Sequence, residues 1–315
     1  MICVSAFTMV FDRKTLMIPD KTLFEDRVIR TAGDVVVGDR SLVQFGIKTD
    51  GRIFVGEHVI IDGDLDATDD VRIDIFSSIG GDIRSGGNTF LGEKVKVKGR
   101  LSLEGDLDVG DSVEIENGFE ARGWINIRSP IPMVIYIFIY LMQLLKLGRS
   151  EEIERILQEL EDNDGETIPI SESFLFIPNS SIIGSQKSRV DCNLHVGKEC
   201  RVLGNFDIRG NIFVEEGSNI FGTLKSAGDV YCGKKVNIEG NIFADGIVNI
   251  DEYAHVAGDV SADKIFLSKT ASIDGTLLAK EGISFIEPSQ QRMNNKIKRF
   301  AADIDVVDEV EEILK

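Results

Sequence analysis

Apolar residues recur along this chain with a period of 18. Within one period, the apolar or small positions are separated by alternating steps of four and two. Two residues apart on a strand share one face, whereas a step of four carries the chain round a corner before a side chain points inward again. Eighteen residues therefore make three short strands and three corners, which predicts a triangular coil of a β-solenoid. In the coil that begins at residue 55, the inward positions are Val55, Val59, Ile61, Leu65, Ala67 and Val71.

The same six positions are apolar in coils of both halves of the chain. Burying six such side chains, at about 1.5–3 kcal/mol each, stabilises a coil only when it is stacked on neighbours. We therefore predict an all-β fold made of two three-sided parallel β-helix domains with 18-residue coils, plus an inter-domain helical segment and a C-terminal helix. The matching sets are Leu91, Val95, Val97, Leu101, Leu103 and Leu107, and Val196, Cys200, Val202, Phe206, Ile208 and Ile212.

Glycines recur at two corner positions of the coil. We expect them to supply the positive φ that a tight corner requires. We do not expect them to bind phosphate, because no strand–glycine–helix arrangement surrounds them. The first series is Gly63, Gly81, Gly99, Gly204, Gly222, Gly240 and Gly258, and the second is Gly38, Gly56, Gly92, Gly110, Gly197 and Gly233.

The chain also matches itself at an offset of 159, so that residues 18–20 (IPD) correspond to residues 177–179 (IPN). This offset predicts a tandem duplication, with a solenoid followed by a helical tail in each half. The predicted boundaries are 1–128 for the first solenoid, 129–165 for a hydrophobic segment and an amphipathic helix, 166–288 for the second solenoid and 289–315 for the C-terminal helical tail. The apolar stripes of both tails are typical of helices that cap or flank a solenoid; a partner-binding or coiled-coil tail is the alternative.

Residues 131–147 have no equivalent in the second half, and only Gln143 and Lys146 among them are strongly polar. A helix of this length would be about 25 Å long, near the shortest that spans a bilayer. Insertion in a membrane, burial in a self-association interface and packing within the monomer all fit, and a strand at 134–140 is also compatible. We favour a membrane dip or anchor, because a crossing would place the matching halves on opposite sides. The residues expected to contact lipid or a second copy are Met133, Ile135, Ile137, Phe138, Leu141, Leu144 and Leu145.

The charge of the chain restricts its partners. The net charge is −18 and the isoelectric point about 4.7, which disfavours nucleic acid and makes any membrane contact hydrophobic. No signal peptide is evident, and four cysteines without a pairing pattern fit the cytoplasm, at the inner face of the cell membrane if residues 131–147 attach there. Among them we expect Cys200 and Cys232 to point inward and Cys192 outward.

The sequence offers little catalytic chemistry. Its three histidines occupy different outward positions of the coil, and neither a Ser-His-Asp spacing nor a CxxC pair is present. Asp62, Asp64 and Asp66 would make at most a loose Ca²⁺ site. We therefore predict no catalytic residue, cofactor or metal site. The histidines are His58, His195 and His255.

Two stretches resemble the bactofilins, which are polymer-forming cytoskeletal proteins. They are VGEHVIIDGDL at 55–65 and VAGDV at 256–260, and the resemblance covers roughly 19–128 and 178–286. It implies a right-handed three-sided β-helix, nucleotide-independent polymerisation through the solenoid ends and, often, membrane attachment. This chain differs from the usual pattern of one solenoid with short tails, and helices over the solenoid ends would obstruct such polymerisation.

The leading hypothesis is a non-enzymatic scaffold that assembles with copies of itself and associates with membrane lipid through residues 131–147. One alternative is an enzyme of the hexapeptide acyltransferase or γ-type carbonic anhydrase architecture, with His58 or His255 facing a neighbouring subunit. A second alternative is an adaptor that presents the flanks of its solenoid to protein partners.

Overall fold

The computed structural model describes residues 14–128, 171 and 173–286, and the regular elements in these ranges are all β-strands. The strands lie in three sheets, of 14, 12 and 12 strands, which form the three walls of a solenoid. At about 4.8 Å per strand, the longest wall extends for about 60 Å. The all-β solenoid predicted from the 18-residue period is confirmed.

The strands are numbered along the chain, and their order across each sheet differs from that numbering. Sheet A contains, from one edge to the other, β19 (Ile125–Ile127), β16 (Leu107–Val109), β13 (Thr89–Leu91), β10 (Val71–Ile73), β7 (Ile53–Val55), β4 (Asp34–Val37), β20 (Phe174–Ile177), β1 (Thr15–Ile18), β23 (Asn193–Val196), β26 (Ile212–Val214), β29 (Val230–Cys232), β32 (Ile247–Ile250), β35 (Lys264–Ser268) and β38 (Ile283–Ile286). Sheet B contains β18 (Phe119–Ala121), β15 (Leu101–Leu103), β12 (Ile83–Ser85), β9 (Leu65–Ala67), β6 (Gly46–Thr49), β3 (Val28–Thr31), β2 (Leu23–Phe24), β24 (Arg201–Leu203), β27 (Asn219–Phe221), β30 (Asn237–Ile238), β33 (His255–Val256) and β36 (Ser272–Ile273). Sheet C contains β17 (Glu114–Ile115), β14 (Lys96–Val97), β11 (Ser78–Ile79), β8 (Ile60–Ile61), β5 (Leu42–Val43), β21 (Ile182–Ile183), β22 (Lys187–Val190), β25 (Asn205–Ile208), β28 (Leu224–Ser226), β31 (Ile242–Ala244), β34 (Val260–Ala262) and β37 (Leu277–Ala279).

The interior is a single apolar core enclosed by the three walls. Every inward position predicted for the three coils above is buried, and none exceeds 4% exposure. Parallel neighbours are separated by 18 residues along most of the rod, as in the series Val55, Ile73 and Leu91. One coil is shorter by a residue, since Ile247 pairs with Lys264. The periodic pattern therefore predicted the core and the register in detail.

The glycine corners have a different cause from the one we expected. Only Gly204 and Gly222 of the first series, and none of the second, have positive φ. Instead, a Cβ on any of the 13 would meet a neighbouring coil: in five of them the nearest atom is an Asx side-chain oxygen, and in the other eight it is a backbone atom. Gly105, at a third corner, also meets an Asx oxygen, since a Cβ on it would lie 2.5 Å from Asn88 Oδ1. That oxygen accepts the backbone N–H of Asp106 at 2.8 Å. Glycine is required at this corner because the Asn88 oxygen and the Gly87 backbone leave no room for a Cβ.

The left-handed corner of the coil is instead formed by residues with side chains. Ten of the described non-glycine residues have positive φ, and most recur at steps of 18. Six of them lie two residues after a glycine of the second series, as His58 lies after Gly56, and the other four lie two residues after a proline or an aspartate. They are Lys21, Arg40, His58, Phe76, Lys94, Ser112, Ser180, Glu199, Lys235 and Tyr253.

The first coil of each half lies on the stack of the other half. Strand β1 pairs in parallel with β23, and β20 pairs in parallel with β4. Between them, β1 and β20 pair antiparallel, so the two halves meet at their N-terminal ends and extend in opposite directions. The other two walls change direction in the same region, through antiparallel pairs of β2 with β3 and of β21 with β22.

Matching hydrogen bonds hold the two exchanged coils in place. Asn179 Oδ1 accepts the N–H of Asp39 at 3.1 Å, and the residue 159 positions earlier, Asp20, accepts the N–H of Lys198 at 2.8 Å. Likewise the Ser41 hydroxyl donates to the Pro178 carbonyl at 2.9 Å, and the Cys200 thiol donates to the Pro19 carbonyl at 3.0 Å. The junction thus repeats its contacts at the offset seen in the sequence.

The three sheets run through both halves without a break, so the described residues form one continuous solenoid rather than the two separate ones that we predicted. The reason is the exchange of first coils, which joins the stacks where the sequence suggested a boundary. The predicted helices in 129–165 and 289–315 lie outside the described residues, and the boundaries themselves remain predictions. Within the part of the chain that the structure describes, no helix could span a bilayer.

Candidate self-assembly surfaces

Both ends of the described solenoid are formed by the last coils of the two halves. Strands β17, β18 and β19 lie at one end, which we call end 1, and β36, β37 and β38 lie at the other, end 2. Among the described strands, each of these has a sheet neighbour on one side only. An edge of this kind offers unpaired N–H and C=O groups to another strand, so each end is a candidate surface for assembly.

End 1 exposes side chains whose counterparts are buried one coil further in. Ile125 is 49% exposed, although Leu107, its register partner, is 1% exposed. Ile127 is 71% exposed at a position that points inward in the other coils. The interior of the solenoid therefore continues to this end and presents an apolar surface there.

Trp124 adds a further apolar group at end 1, and the sequence analysis missed it. Its side chain is 85% exposed, while its backbone N–H donates to Asp106 Oδ1 at 2.7 Å. The preceding coils have Asp70, Asn88 and Asp106 at this corner, and each bonds the N–H of the next coil. The replacement of the Asx residue by tryptophan in the last coil was the available signal.

End 2 has the same apolar character. Ile283 and Phe285 are 40% and 66% exposed, although their partners Ile265 and Leu267 are buried. The charge of the molecule is not concentrated at the ends: coil 111–128 has four acidic and two basic residues, a net −2, and coil 269–286 has two of each. Copies can therefore approach through their ends with little repulsion, because most of the acidic residues lie elsewhere along the rod.

The histidines do not come together. His58 lies at a left-handed corner and stacks on Phe76, with ring centroids 4.9 Å apart. His255 contacts Asn237 Oδ1 at 2.8 Å and Asp274 Oδ2 at 3.1 Å. No group of three potential metal-binding side chains occurs among the described residues.

His195 lies on the outer face of sheet A, near the junction. Its Nε2 is 3.1 Å from Glu215 Oε1, and this hydrogen bond lowers the pKa of the Glu215 carboxyl below its usual range. The contact is partly exposed, so its contribution to stability is modest.

Two of the three aspartates considered for Ca²⁺ are engaged in protein contacts. Asp64 Oδ1 accepts the N–H of Asp82 at 2.8 Å, and the Asp66 carboxylate pairs with Lys48. A shallow groove of about 370 Å³ on the outer face of sheet B is likewise lined by paired charges, including Arg122 with Glu104. These contacts act between coils, and the groove contains neither histidine nor cysteine.

Two of the three described cysteines point in the direction that the periodic pattern predicts. Cys200 and Cys232 are buried as predicted, and burial raises the pKa of their thiols to about 11 and about 12. The prediction of an outward Cys192 was wrong, since this side chain is partly buried and packs against the core. Thiols held protonated in this way are poor nucleophiles.

The residues that we predicted to contact lipid or a second copy, from Met133 to Leu145, all lie outside the described residues. Their placement therefore stays a prediction.

Comparison with known proteins supplies the family. Residues 177–278 match the family model described as "Bactofilin: Polymer-forming cytoskeletal". Searches of curated proteins and of solved structures find no match. The matched residues include β21 and continue through most of the second half to β37. The resemblance seen in the sequence is thereby confirmed for this part of the chain: residues 177–278 are a bactofilin domain.

Proposed function

We propose that this protein is a non-enzymatic scaffold of cytoskeletal type that polymerises end to end with copies of itself. The single observation that carries the proposal is the pair of apolar, open-edged ends in a chain with a bactofilin domain. Stacking one end on another would continue the sheets and bury side chains such as Ile127 and Phe285.

The duplicated arrangement gives this polymer a particular unit. Because the N-terminal ends of both halves meet inside one chain, the C-terminal coils form both ends of the rod that the described strands build. Each chain would then contribute a rod of about 60 Å, and growth would use ends 1 and 2 alone.

Electron microscopy and sedimentation velocity of the purified full chain test the proposal. We expect filaments without added nucleotide, and a sedimentation coefficient that rises with protein concentration. A species that stays monomeric across protein concentration and salt would overturn it.

Membrane association through residues 131–147 is a separate proposal, and it rests on their apolar composition alone. It would place the protein at the inner face of the cell membrane. Flotation with liposomes tests it by comparing the full chain with a deletion of 131–147. Equal flotation of the two proteins would contradict it.

The two alternatives have less support. An enzyme with an inter-subunit site needs histidines that face a neighbour, and His58 and His255 are engaged with Phe76 and Asp274 of their own chain. An adaptor remains compatible with the polar flanks of the rod. It would bind other proteins without forming filaments, so the sedimentation experiment also separates it from the scaffold.

A further inference from the structure

The last coil at end 1 differs from the rest of its stack at one corner, between sheets C and B. The preceding coils have glycine there, at Gly63, Gly81 and Gly99, whereas coil 111–128 has Asn117. A Cβ on Gly99 would lie 2.3 Å from the Gly81 carbonyl oxygen, so a residue with a side chain cannot pack as closely. The N–H of Asn117 reaches the Gly99 carbonyl oxygen only at 3.4 Å. The corner of the last coil is therefore packed less closely than the glycine corners beside it.

The backbone N–H of the next residue, Gly118, has no hydrogen-bond partner among the described residues. In the preceding coils, the N–H at this position donates to an aspartate one coil earlier: Asp64 Oδ1 accepts the N–H of Asp82 at 2.8 Å, and Asp82 Oδ1 accepts that of Arg100 at 2.9 Å. Arg100 stands where the next acceptor would be, and a guanidinium group cannot accept a hydrogen bond. The N–H of Gly118 is left unpaired because this series of aspartates ends one coil before it.

Gly118 also differs in its backbone conformation and its surroundings. Its φ is +75°, whereas neither Asp82 nor Arg100 has a positive φ. A Cβ on Gly118 would meet no atom within 4 Å, and both Asn117 and Gly118 are exposed. Glycine adopts positive and negative φ about equally well, so the chain can change its local geometry here. Water therefore has access to the backbone nitrogen of Gly118.

The side chain of Asn117 precedes this nitrogen directly in the chain. Among the described residues it makes one hydrogen bond, from Nδ2 to the Lys98 carbonyl at 2.9 Å, and its Oδ1 accepts none. A single exposed hydrogen bond is exchanged for one to water at little net cost. Residues 117–118 are the only Asn-Gly pair in the sequence. The contacts of this corner therefore leave Asn117 Cγ and the Gly118 nitrogen free to approach each other.

We propose that Asn117 is a site of spontaneous deamidation, with water as the co-reactant. The Gly118 nitrogen loses its proton to solvent and bonds to Asn117 Cγ. The bond between Cγ and Nδ2 then breaks, and Nδ2 takes a proton from solvent and leaves as ammonia. Water opens one of the two C–N bonds to the ring nitrogen of the cyclic imide that results, and the nitrogen regains its proton. Opening at Cγ leaves aspartate, and opening at the α-carbonyl carbon leaves isoaspartate.

Either product changes end 1. One carboxylate is added, so the net charge of coil 111–128 goes from −2 to −3, and isoaspartate also lengthens the backbone of this coil by one carbon. A carboxylate without a partner is costly to bury. Under the end-to-end assembly proposed above, on which this step rests, modified chains add less readily through end 1.

Mass spectrometry of the full chain, below the concentration at which assembly begins, tests the site. Trypsin releases Asn117 in peptide 101–122 and Asn126, an exposed asparagine of the same coil, in peptide 123–128. Asn126 is the control, because the branched side chain of Ile127 hinders ring closure. In ¹⁸O-labelled water we expect Asn117 to convert with uptake of ¹⁸O, at a rate within a few-fold of that in free peptide 101–122, while Asn126 stays intact. A folded chain whose Asn117 stays intact while the free peptide converts would overturn the proposal.

Sedimentation tests the effect on end 1. Protein is aged in the same way until part of it is modified, and is then concentrated so that it assembles. We expect the filaments to contain a several-fold smaller fraction of modified Asn117 than the solution around them, and equal fractions would overturn the effect on end 1. Asn117→Gln, whose longer side chain closes such a ring far more slowly, should assemble equally well before and after ageing. Failure of fresh Asn117→Gln protein to form filaments would instead contradict the proposed function, since the first experiment does not depend on assembly.

Discussion

Met17 and Phe176 face each other in the antiparallel pair of β1 and β20, and they stand 159 residues apart, at equivalent positions of the two halves. The side chains next to them are also equivalent: Leu16 and Leu175 are both buried in the core. Leu16 pairs with Leu194 of the second half, and Leu175 pairs with Val35 of the first. Each half therefore depends on a coil that the other half supplies.

This exchange predicts that mutations act across the halves. Leu16→Ala should cost about 2–5 kcal/mol, because it leaves a cavity beside β23. Amide exchange should become faster in residues 193–196, although the mutation is in the first half. Leu175→Ala should instead affect residues 34–37.

Hydrogen exchange with mass spectrometry on the full chain measures both effects. Ile212→Ala is the control, since its neighbours β23 and β29 belong to its own half. A Leu16→Ala protein with faster exchange in 34–37 and unchanged exchange in 193–196 would argue against the exchanged coil.

A charged contact near the junction predicts a pH dependence. Asp34 is 2% exposed and accepts hydrogen bonds from Arg52 Nε at 3.1 Å and from the Ser171 N–H at 2.9 Å. Burial alone would raise the pKa of this carboxyl, but the hydrogen bonds from Arg52 and Ser171 outweigh it and hold the pKa below its usual range. The ionised form therefore stabilises the fold above pH 4 or so, and this stabilisation is lost as the pH falls towards the lowered pKa.

Asp34→Asn should therefore be less stable than the parent by about 1–3 kcal/mol at pH 7. The difference in stability between the variant and the parent should become smaller as the pH falls from about 5 to 3. The variant is expected to fold, because the equivalent residue 159 positions later is Asn193, which accepts the N–H of Asn211 at 2.8 Å. Chemical denaturation at several pH values checks this, and Arg52→Gln should give the same profile. A difference in stability that does not change with pH would show that the ionised Asp34 carboxylate does not stabilise the fold.

The corner glycines give a rescue experiment. A Cβ on Gly228 would overlap Asn211 Oδ1, and no other atom within 3.0 Å stands in its way. Gly228→Ala should therefore cost about 1–3 kcal/mol as an overpacking mutation. In the double variant with Asn211→Ala, much of this cost should disappear, because the obstructing oxygen is gone.

Thermal unfolding of the two single variants and the double variant measures the coupling between the sites. Gly105→Ala is the comparison, because its Cβ would also approach the backbone carbon of Gly87 at 2.8 Å, which no change at Asn88 removes. Additive effects of Gly228→Ala and Asn211→Ala would show that the side chain is not the reason for the glycine.

The sequence alone predicts which residues form the core, but it does not predict how the two halves join. Positions such as Val59 and Val202 could be predicted because each wall alternates inward and outward with a fixed period. The placement of β1 and β20 could not be predicted. Both have the ordinary inward pattern, which fits the stack of either half equally well, and pairing partners are not encoded in that pattern.

The corners show a second limit of sequence analysis. Glycine at a corner indicates either positive φ or a close approach, and the sequence does not distinguish them. An Asx residue directly after the glycine, as Asn88 follows Gly87, recurs at many of the corners and was the signal for close approach. Trp124 could have been found in the same way, as the residue at which the ladder stops.

The ends of the rod give the most direct test of the proposed function. Ile127→Glu places a carboxylate at end 1, and Phe285→Glu places one at end 2, in surfaces that would become buried on assembly. Burying an unpaired charge is costly, so either variant should prevent filament growth and the double variant should give single chains. Ile60→Glu is the matched control, because Ile60 is 49% exposed but lies on the flank. Sedimentation velocity also shows whether like or unlike ends pair. If like ends pair, each single variant should form dimers through its unchanged end. If unlike ends pair, each single variant should remain a single chain. Filaments of normal length from the double variant would exclude assembly through these ends.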